Sequence, residues 1–278
     1  MKPLENRVAL ITGAGRGIGR AIALSYATAG ARLSLAARTE SELAQTAQDA
    51  QAKGASTCIT TADISDPEQV DVLVRHTRDQ FGAIDILVNN AGMAGPIGPL
   101  HQNDISAWIQ TVQVNLIGTY LCCRAVLPVM LAQNRGKIIN LSGAGATVAW
   151  RDLSAYGVSK VAVVRLTETL ALELEGTNIQ VNALGPGSIH TQMWEELRDK
   201  AEAAGSTRIY EIGQQVTSGG GASLQQATAL AVFLASDQSG TLSGRLISAV
   251  GDDLANLSPR MADIMASDAW LLRRVELP

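Results

Sequence analysis

Tyr156 and Lys160 stand four apart at the head of a long apolar-patterned run. On a helix that spacing puts both side chains on one face, about one turn apart. An ammonium near a phenol favours the phenolate and lowers a tyrosine pKa from its reference near ~10. A tyrosine tuned in this way can give a proton to a carbonyl oxygen or take one from an alcohol. Taken alone, such a pair is also an ordinary helix neighbour, so its company decides what it means.

A second chemical stretch lies near the start, Thr12-Gly13-Ala14-Gly15-Arg16-Gly17-Ile18-Gly19. It links an apolar run to a helical pattern. Glycines let a backbone pass close to a phosphate, and a helix N-terminus offers free N–H groups and the positive end of its dipole. In a strand-to-helix turn this reads as dinucleotide binding; the bland alternative is a tight turn. The spacing is T-G-x-x-x-G-x-G, with Ile18 where the commoner dinucleotide fingerprint has its last glycine.

The elements around these motifs alternate. Short apolar runs at Val8–Thr12, Arg32–Ala36, Ser56–Thr60, Ile86–Val88, Lys137–Leu141, Ile179–Ala183 and Arg245–Val250 read as strands. Helical patterns fill the intervals, at Gly17–Ala29, after Thr39, from Pro67 to Phe81, over most of Asp104–Asn134, from Ser154 to Glu175 and up to Ala235. Thr39-Glu40-Ser41-Glu42 and Ser223-Leu224-Gln225-Gln226 read as capping boxes. Asp66-Pro67 reads as an N-cap with proline at the first helical position. Pro128 marks a bend or a boundary between helices. Alternation throughout predicts one α/β domain over residues 1–251, a Rossmann-like, doubly wound parallel sheet of about seven strands with helices on both faces. Residues 188–222 are too long for a bare loop and read as a lid with short helices of its own. Residues 252–278 form a C-terminal extension, whose Trp270, Leu271, Leu272 and Val275 need burial near the lid or on a neighbouring subunit.

Composition narrows the function classes. The chain of 278 residues is 46% hydrophobic and 17% charged, enough for a large core and too apolar for disorder. Its net charge of −4, without a basic run, leaves no footprint for nucleic acid. Cys58, Cys122 and Cys123 make neither a disulfide framework nor a metal-ligand spacing, so no metal is expected. The run Val8–Ile11 is too short for a signal peptide, and no run reads as the ~20 apolar residues of a membrane span. A cytoplasmic protein is expected.

The glycine spacing, together with Asn89-Asn90-Ala91-Gly92, Asn115 and the Tyr156/Lys160 pair, resembles the short-chain dehydrogenase/reductase family from about Arg7 to Val250. The resemblance implies an NAD(P)-dependent oxidoreductase that moves a hydride between the cofactor and a ketone or secondary alcohol. It implies Gly13, Gly17 and Gly19 against the pyrophosphate, with Arg16 and Ile18 of the same loop also at the cofactor. Asp63 would contact the adenine, Asn89 would line the cofactor cleft, and Ala91 would hold neighbouring backbone. Pro186, Ile189 and Thr191 would cup the nicotinamide. Tyr156 would be the general acid/base, Lys160 its tuner and ribose contact, and Asn115 would kink its helix and order a water. The bland alternatives are that Asn115 is a satisfied core amide and Asp63 a helix-cap or turn residue. A homo-oligomer, tetramer or dimer, is implied, with the Tyr156 helix and the Asp104–Asn134 helix at its interface.

One position departs from the family. The expected substrate-binding serine falls thirteen before the tyrosine, at position 143, which is glycine. A one-residue shift in the following loop would bring Ser142 into place; otherwise Thr147, or no side chain, serves. For the cofactor, Ala37 offers no carboxylate to a ribose 2′-hydroxyl, while Arg38 and Arg16 could clamp a 2′-phosphate. NADP(H) is therefore favoured over NAD(H). A cofactor-binding sensor or scaffold without turnover is the alternative, supported by the displaced serine alone. The substrate is a small carbonyl or alcohol bounded by residues 93–102, 143–153 and 188–222. Met93, Trp150, Met193, Trp194 and Tyr210 suggest apolar walls there, while Asp152, Glu195 and Glu196 could meet hydroxyls.

Overall fold

A computed structural model describes residues 2–252 and 256–274. Seven short apolar runs become strands: β1 (Val8–Thr12), β2 (Arg32–Ala37), β3 (Thr57–Thr61), β4 (Ile86–Asn89), β5 (Gly136–Leu141), β6 (Ile179–Gly185) and β7 (Leu246–Ser248). All neighbours pair in parallel, in the order β3-β2-β1-β4-β5-β6-β7. Continuous apolar strands suit a parallel sheet because both faces are covered by crossover helices. The order reverses direction between β1 and β4, and such a switch point opens a crevice at the C-terminal strand ends.

Ten α-helices are described: α1 (Gly17–Thr28), α2 (Glu40–Gln51), α3 (Pro67–Phe81), α4 (Ile105–Val112), α5 (Gly118–Ala132), α6 (Ser154–Glu173), α7 (Gln192–Ala203), α8 (Thr207–Gln215), α9 (Leu224–Ala235) and α10 (Leu257–Met265). One core packs alternate residues of β1, β2 and β5, such as Ile11, Leu35 and Ile139, with Ile22 of α1, Leu43 of α2 and Leu230 of α9. A second core, on the other face, holds Leu10, Leu87 and Ile138 with Leu73 of α3, Val126 of α5 and Leu170 of α6. The doubly wound expectation holds.

Several local expectations are corrected. Thr39 precedes α2 but makes no side-chain cap bond. Its supposed box partner Glu42 turns instead to Arg16, at 3.6 Å. The Ser223 cap does form, its hydroxyl accepting from the Gln226 N–H at 3.3 Å. Pro128 sits inside α5 without ending it. The irregularity lies earlier, in a π-helical turn at Gln113–Ile117 that joins α4 to α5. Ile105–Ala132 is consequently one helical stretch of 28 residues, long and apolar enough to cross a membrane, contrary to the reading that no run approaches that length. Its inner face, with Cys122, Cys123, Val126 and Met130, packs on the sheet.

Residues 188–222 carry α7, α8 and a π-helical turn at Val216–Gly220, as expected of a segment that length. The C-terminal extension docks on its own chain, against β7 and α6. Val275 lies outside the described residues.

The two N-caps separate cleanly by experiment. Ser223→Ala is expected to cost about 1 kcal/mol, a fall in Tm of about 2–4 °C for a domain of this size. Thr39→Ala is expected to leave Tm unchanged in the same thermal melts, because no cap bond is lost.

Candidate active site

The crevice at the switch point is a cavity of about 1060 Å³. It exceeds the ~300–1,000 Å³ typical of one drug-sized ligand and can seat a cofactor with a substrate. Its floor is the glycine loop between β1 and α1. Arg16, at the N-cap of α1, makes no side-chain cap bond, so no side chain of its own closes off that helix end. A Cβ on Gly19 would overlap the Gly13 carbonyl, and one on Gly13 would stand 2.8 Å from the Ala91 Cα. Asn90 fastens the loop, its Nδ2 donating to the carbonyls of Thr12 at 3.0 Å and Gly13 at 3.1 Å. The Thr12 hydroxyl accepts from the N–H groups of Asn90 and Ala91, both at 3.1 Å. A glycine cradle at an open helix N-terminus fits a dinucleotide pyrophosphate.

Most of the expected cofactor residues line this cavity: Gly13, Arg16, Gly17 and Ile18 on the floor, Arg38, Asp63 and Ala91 beside them, Pro186, Ile189 and Thr191 opposite. Gly19 supports the loop from beneath. Asp63 uses its Oδ1 to accept from the Ser65 N–H at 2.9 Å and its hydroxyl at 2.6 Å. Asn89 is corrected. It ends β4 with its side chain turned into the sheet's far face, donating to Asn140 Oδ1 at 2.9 Å and Cys123 Sγ at 3.2 Å. Its neighbour Asn90 takes the cavity side, because strand side chains alternate. His190 is exposed and pairs with Glu195 at 2.9 Å.

Tyr156 and Lys160 both reach the cavity from α6. Lys160 is buried; its Nζ donates to the Leu141 carbonyl at 2.8 Å and lies 5.7 Å from the centre of the Tyr156 ring. The sequence expectation of a lowered tyrosine pKa is reversed. Burial pushes the Tyr156 phenol up to about 12 and the Lys160 ammonium down to about 8. Desolvation dominates because it penalises both charged forms, and the ammonium spends its bond on a carbonyl rather than on the phenol.

Asn115 is fully buried in the π-helical turn. Its Oδ1 accepts from the Met93 N–H at 2.8 Å, and its Nδ2 donates to the Met93 carbonyl and Ser159 Oγ, both at 2.9 Å. The amide is satisfied within the protein and ties β4's exit loop to α6. The helix distortion attributed to it is present.

Ser142 and Gly143 both line the cavity. A Cβ built on Gly143 would overlap the Tyr156 hydroxyl, so position 143 itself faces the phenol. Ser142 is buried, and its Oγ has no hydrogen-bond partner in the protein. Sequence reasoning also passed over Glu42, read as a capping group, which lines the cavity beside Arg16. Gln192 was not singled out either; it accepts a hydrogen bond from Arg16 and joins the lid to the glycine loop. No spacing rule points to these two, since both act across elements. Trp150, Met93, Met193 and Trp194 do reach the cavity, whereas Tyr210 packs behind it.

A parallel doubly wound sheet, a phosphate cradle at its switch point and a tyrosine–lysine pair on the cavity wall define a nicotinamide-dependent oxidoreductase. Residues 7–202 match the short chain dehydrogenase family. The chain is 38% identical to the hydroxy(phenyl)methyl-succinyl-CoA dehydrogenase subunit BbsD of Thauera aromatica, over 89% of this chain and 96% of that one. The levodione reductase structure superposes with a TM-score of 0.82 at 30% identity, covering 92% of this chain and 99% of the other. The NAD+-bound xylitol dehydrogenase structure superposes at 0.83 and 30%, covering 89% and 98%. The chain belongs to the short-chain dehydrogenase/reductase family and interconverts CH–OH and C=O groups with a nicotinamide cofactor.

The tightness at position 143 is testable. Gly143→Ala is expected to displace the phenol and lower kcat/KM by about 100-fold, as misplacement by ~1 Å can. Cofactor affinity, measured by fluorescence titration, is expected to stay within error. Unchanged turnover in this variant would show that the phenol does not depend on the space at 143.

Proposed function

We propose an NADP(H)-dependent reductase of a ketone, or the reverse dehydrogenase, in which Tyr156 is the general acid/base. The observation that carries this reading is the convergence of Tyr156, buried Lys160 and bare Gly143 on one wall of the cavity. The bound nicotinamide supplies or accepts the hydride. Tyr156 gives its phenol proton to the carbonyl oxygen as that oxygen gains negative charge, and takes it back from an alcohol. Lys160, charged below about pH 8, stabilises the phenolate left behind and would hold the ribose hydroxyls of a bound cofactor. Asn115 acts as a positioning residue through Met93 and Ser159. Ser142 is assigned to hold the reacting oxygen, because it lines the cavity with Tyr156 and its buried hydroxyl has no hydrogen-bond partner among the described residues; Thr147, also on the cavity wall, is the alternative hydroxyl in that loop.

Preference for NADP(H) rests on Arg38, exposed on the cavity wall beyond β2, where Ala37 leaves no carboxylate. Arg16 contributes less than its position suggests, being shared between Glu42 and Gln192. Glu42 opposes a 2′-phosphate and limits the preference. A homo-oligomer is supported by apolar side chains exposed on α4, α5 and α6, among them Ile105, Ile109, Tyr120, Val158 and Leu172. The same exposure explains the apolar length of Ile105–Ala132 as a subunit face rather than a membrane span. A cytoplasmic location and small-molecule substrate, without nucleic acid, complete the reading. Residues 188–222 act as a lid hinged over the cofactor.

Arg38→Ala is expected to weaken NADPH binding about tenfold, the loss of one charge-assisted contact, and to leave NADH binding nearly unchanged. Glu42→Gln is expected to tighten NADPH. Equal losses for both cofactors in Arg38→Ala would remove the NADP assignment.

Tyr156→Phe is expected to abolish turnover while retaining cofactor affinity, which separates an enzyme from a cofactor-binding scaffold. In the wild type, kcat/KM for reduction is expected to fall as pH rises through about 8, because it reports free-enzyme groups and Lys160 loses its proton there. A profile flat from pH 7 to 9 would deny Lys160 that role.

A further inference from the structure

The C-terminal extension is fastened to the catalytic helix and to the sheet edge by two buried charges. Arg245, immediately before β7, is buried. Its Nη2 donates to the carbonyls of Ile264 at 3.0 Å, Met265 at 3.3 Å and Ser267 at 3.0 Å. A guanidinium there satisfies the open carbonyls at the end of α10 and meets the negative end of its dipole. The Leu246 N–H, on the sheet's edge strand, donates to the Trp270 carbonyl at 3.0 Å. Glu168, on α6 two turns past Lys160, is also buried. It accepts from the Leu272 N–H at 2.6 Å and pairs with Arg165 and, at 3.4 Å, with Arg273. Arg165 closes the ring by donating to the Leu272 carbonyl at 2.8 Å. A buried carboxylate stripped of these partners would be strongly unfavourable, so the tail and the helix hold each other in place.

What this fastening delivers is a wall. Trp270, Leu271 and Leu272 all line the large cavity, and Leu272 packs with Ala146, Val164, Ala183 and Leu246 beneath the loop that follows β5. Ala146 and Leu246 share that cavity, as does Thr147. The charges there are one-sided. Among the described residues, the cations lining the cavity are Arg16 and Arg38, at the glycine-loop end, and Lys160. Among the described residues of the tail, Asp252 is the charged group lining the cavity, and its Oδ2 already accepts from the Ser248 N–H at 2.7 Å.

Resting on the oxidoreductase assignment, we propose that Trp270–Leu272 is a specificity wall of the substrate site, positioned by Glu168. It selects uncharged carbonyl compounds bearing an aromatic or branched apolar group. An anionic substrate would find the wall's own cations, Arg165 and Arg273, already paired with Glu168 and outside the cavity lining, and a polyol would leave hydroxyls unpaired against Trp270 and Leu272.

The test compares NADPH-linked reduction of acetophenone, erythrulose and pyruvate. Wild type is expected to favour acetophenone. Trp270→Ala and Leu272→Ala are each expected to raise its KM about tenfold, within the range that a lost apolar contact gives, with kcat and NADPH affinity little changed. Trp270→Phe is expected to restore most of the loss. Glu168→Ala is expected to speed hydrogen exchange across residues 268–274 and to raise the acetophenone KM in parallel, while Glu168→Gln, which keeps an acceptor for Leu272, lies between. A faster-exchanging tail with an unchanged KM would overturn the proposal, as would losses confined to kcat or to NADPH affinity. Preference for pyruvate or erythrulose would overturn the substrate class and leave the oxidoreductase assignment standing. Failure to turn over any carbonyl would remove both.

Discussion

A lysine ammonium buried against the end of a strand is the constraint on which this site depends. Charged groups are costly to remove from water unless they are hydrogen-bonded, and Lys160 meets that requirement through the Leu141 carbonyl. The bond can exist only where α6 presses its second turn onto the C-terminal end of β5. The helix is held there along its length by other polar contacts. Asn115 holds Ser159, Asn140 holds Thr167 at 2.9 Å, and Glu168 holds Leu272. Each replaces a water that burial removed. Together they fix the depth and rotation at which Tyr156 enters the cavity.

The same low-dielectric setting governs the chemistry. Burial that raises the Tyr156 phenol keeps it protonated, which suits a proton donor to a carbonyl oxygen. Burial that lowers Lys160 makes its charge conditional near neutral pH. Across the cavity the balance is different: the glycine loop is rigid because Asn90 and Thr12 tie it to β4, and its neighbours Arg16, Arg38 and Glu42 are exposed enough to respond to a ligand's charge. One end of the cavity is therefore set by desolvation and the other by exposed, screened charges.

Much of the fold was legible in the chain. Seven apolar runs bounded by glycine and polar turns could only be buried parallel strands once helices separated them, and the boundaries shifted by a residue or two. Tyr156, Lys160 and the glycine loop were legible because helical spacing and strand-to-helix turns are local rules. Three readings failed for a common reason. Thr39 lacks its cap because Glu42 found Arg16; Asn89 faces away because strand parity gave the cavity to Asn90. Pro128 is tolerated while the π-helical turn that holds Asn115 carries the distortion. Each outcome turns on a contact between segments distant in sequence.

Residue types and spacing by themselves determined the class of fold, the family, the glycine loop between β1 and α1 and the placing of Tyr156 and Lys160 on one helix face, since all of these rest on interactions within about one helical turn or one strand. The tertiary structure alone decided the direction of the Tyr156 and Lys160 shifts, the side on which each asparagine faces, and the return of Trp270–Leu272 to the cavity wall. Desolvation and cross-element hydrogen bonding set those properties, and neither exists until the helices close over the sheet.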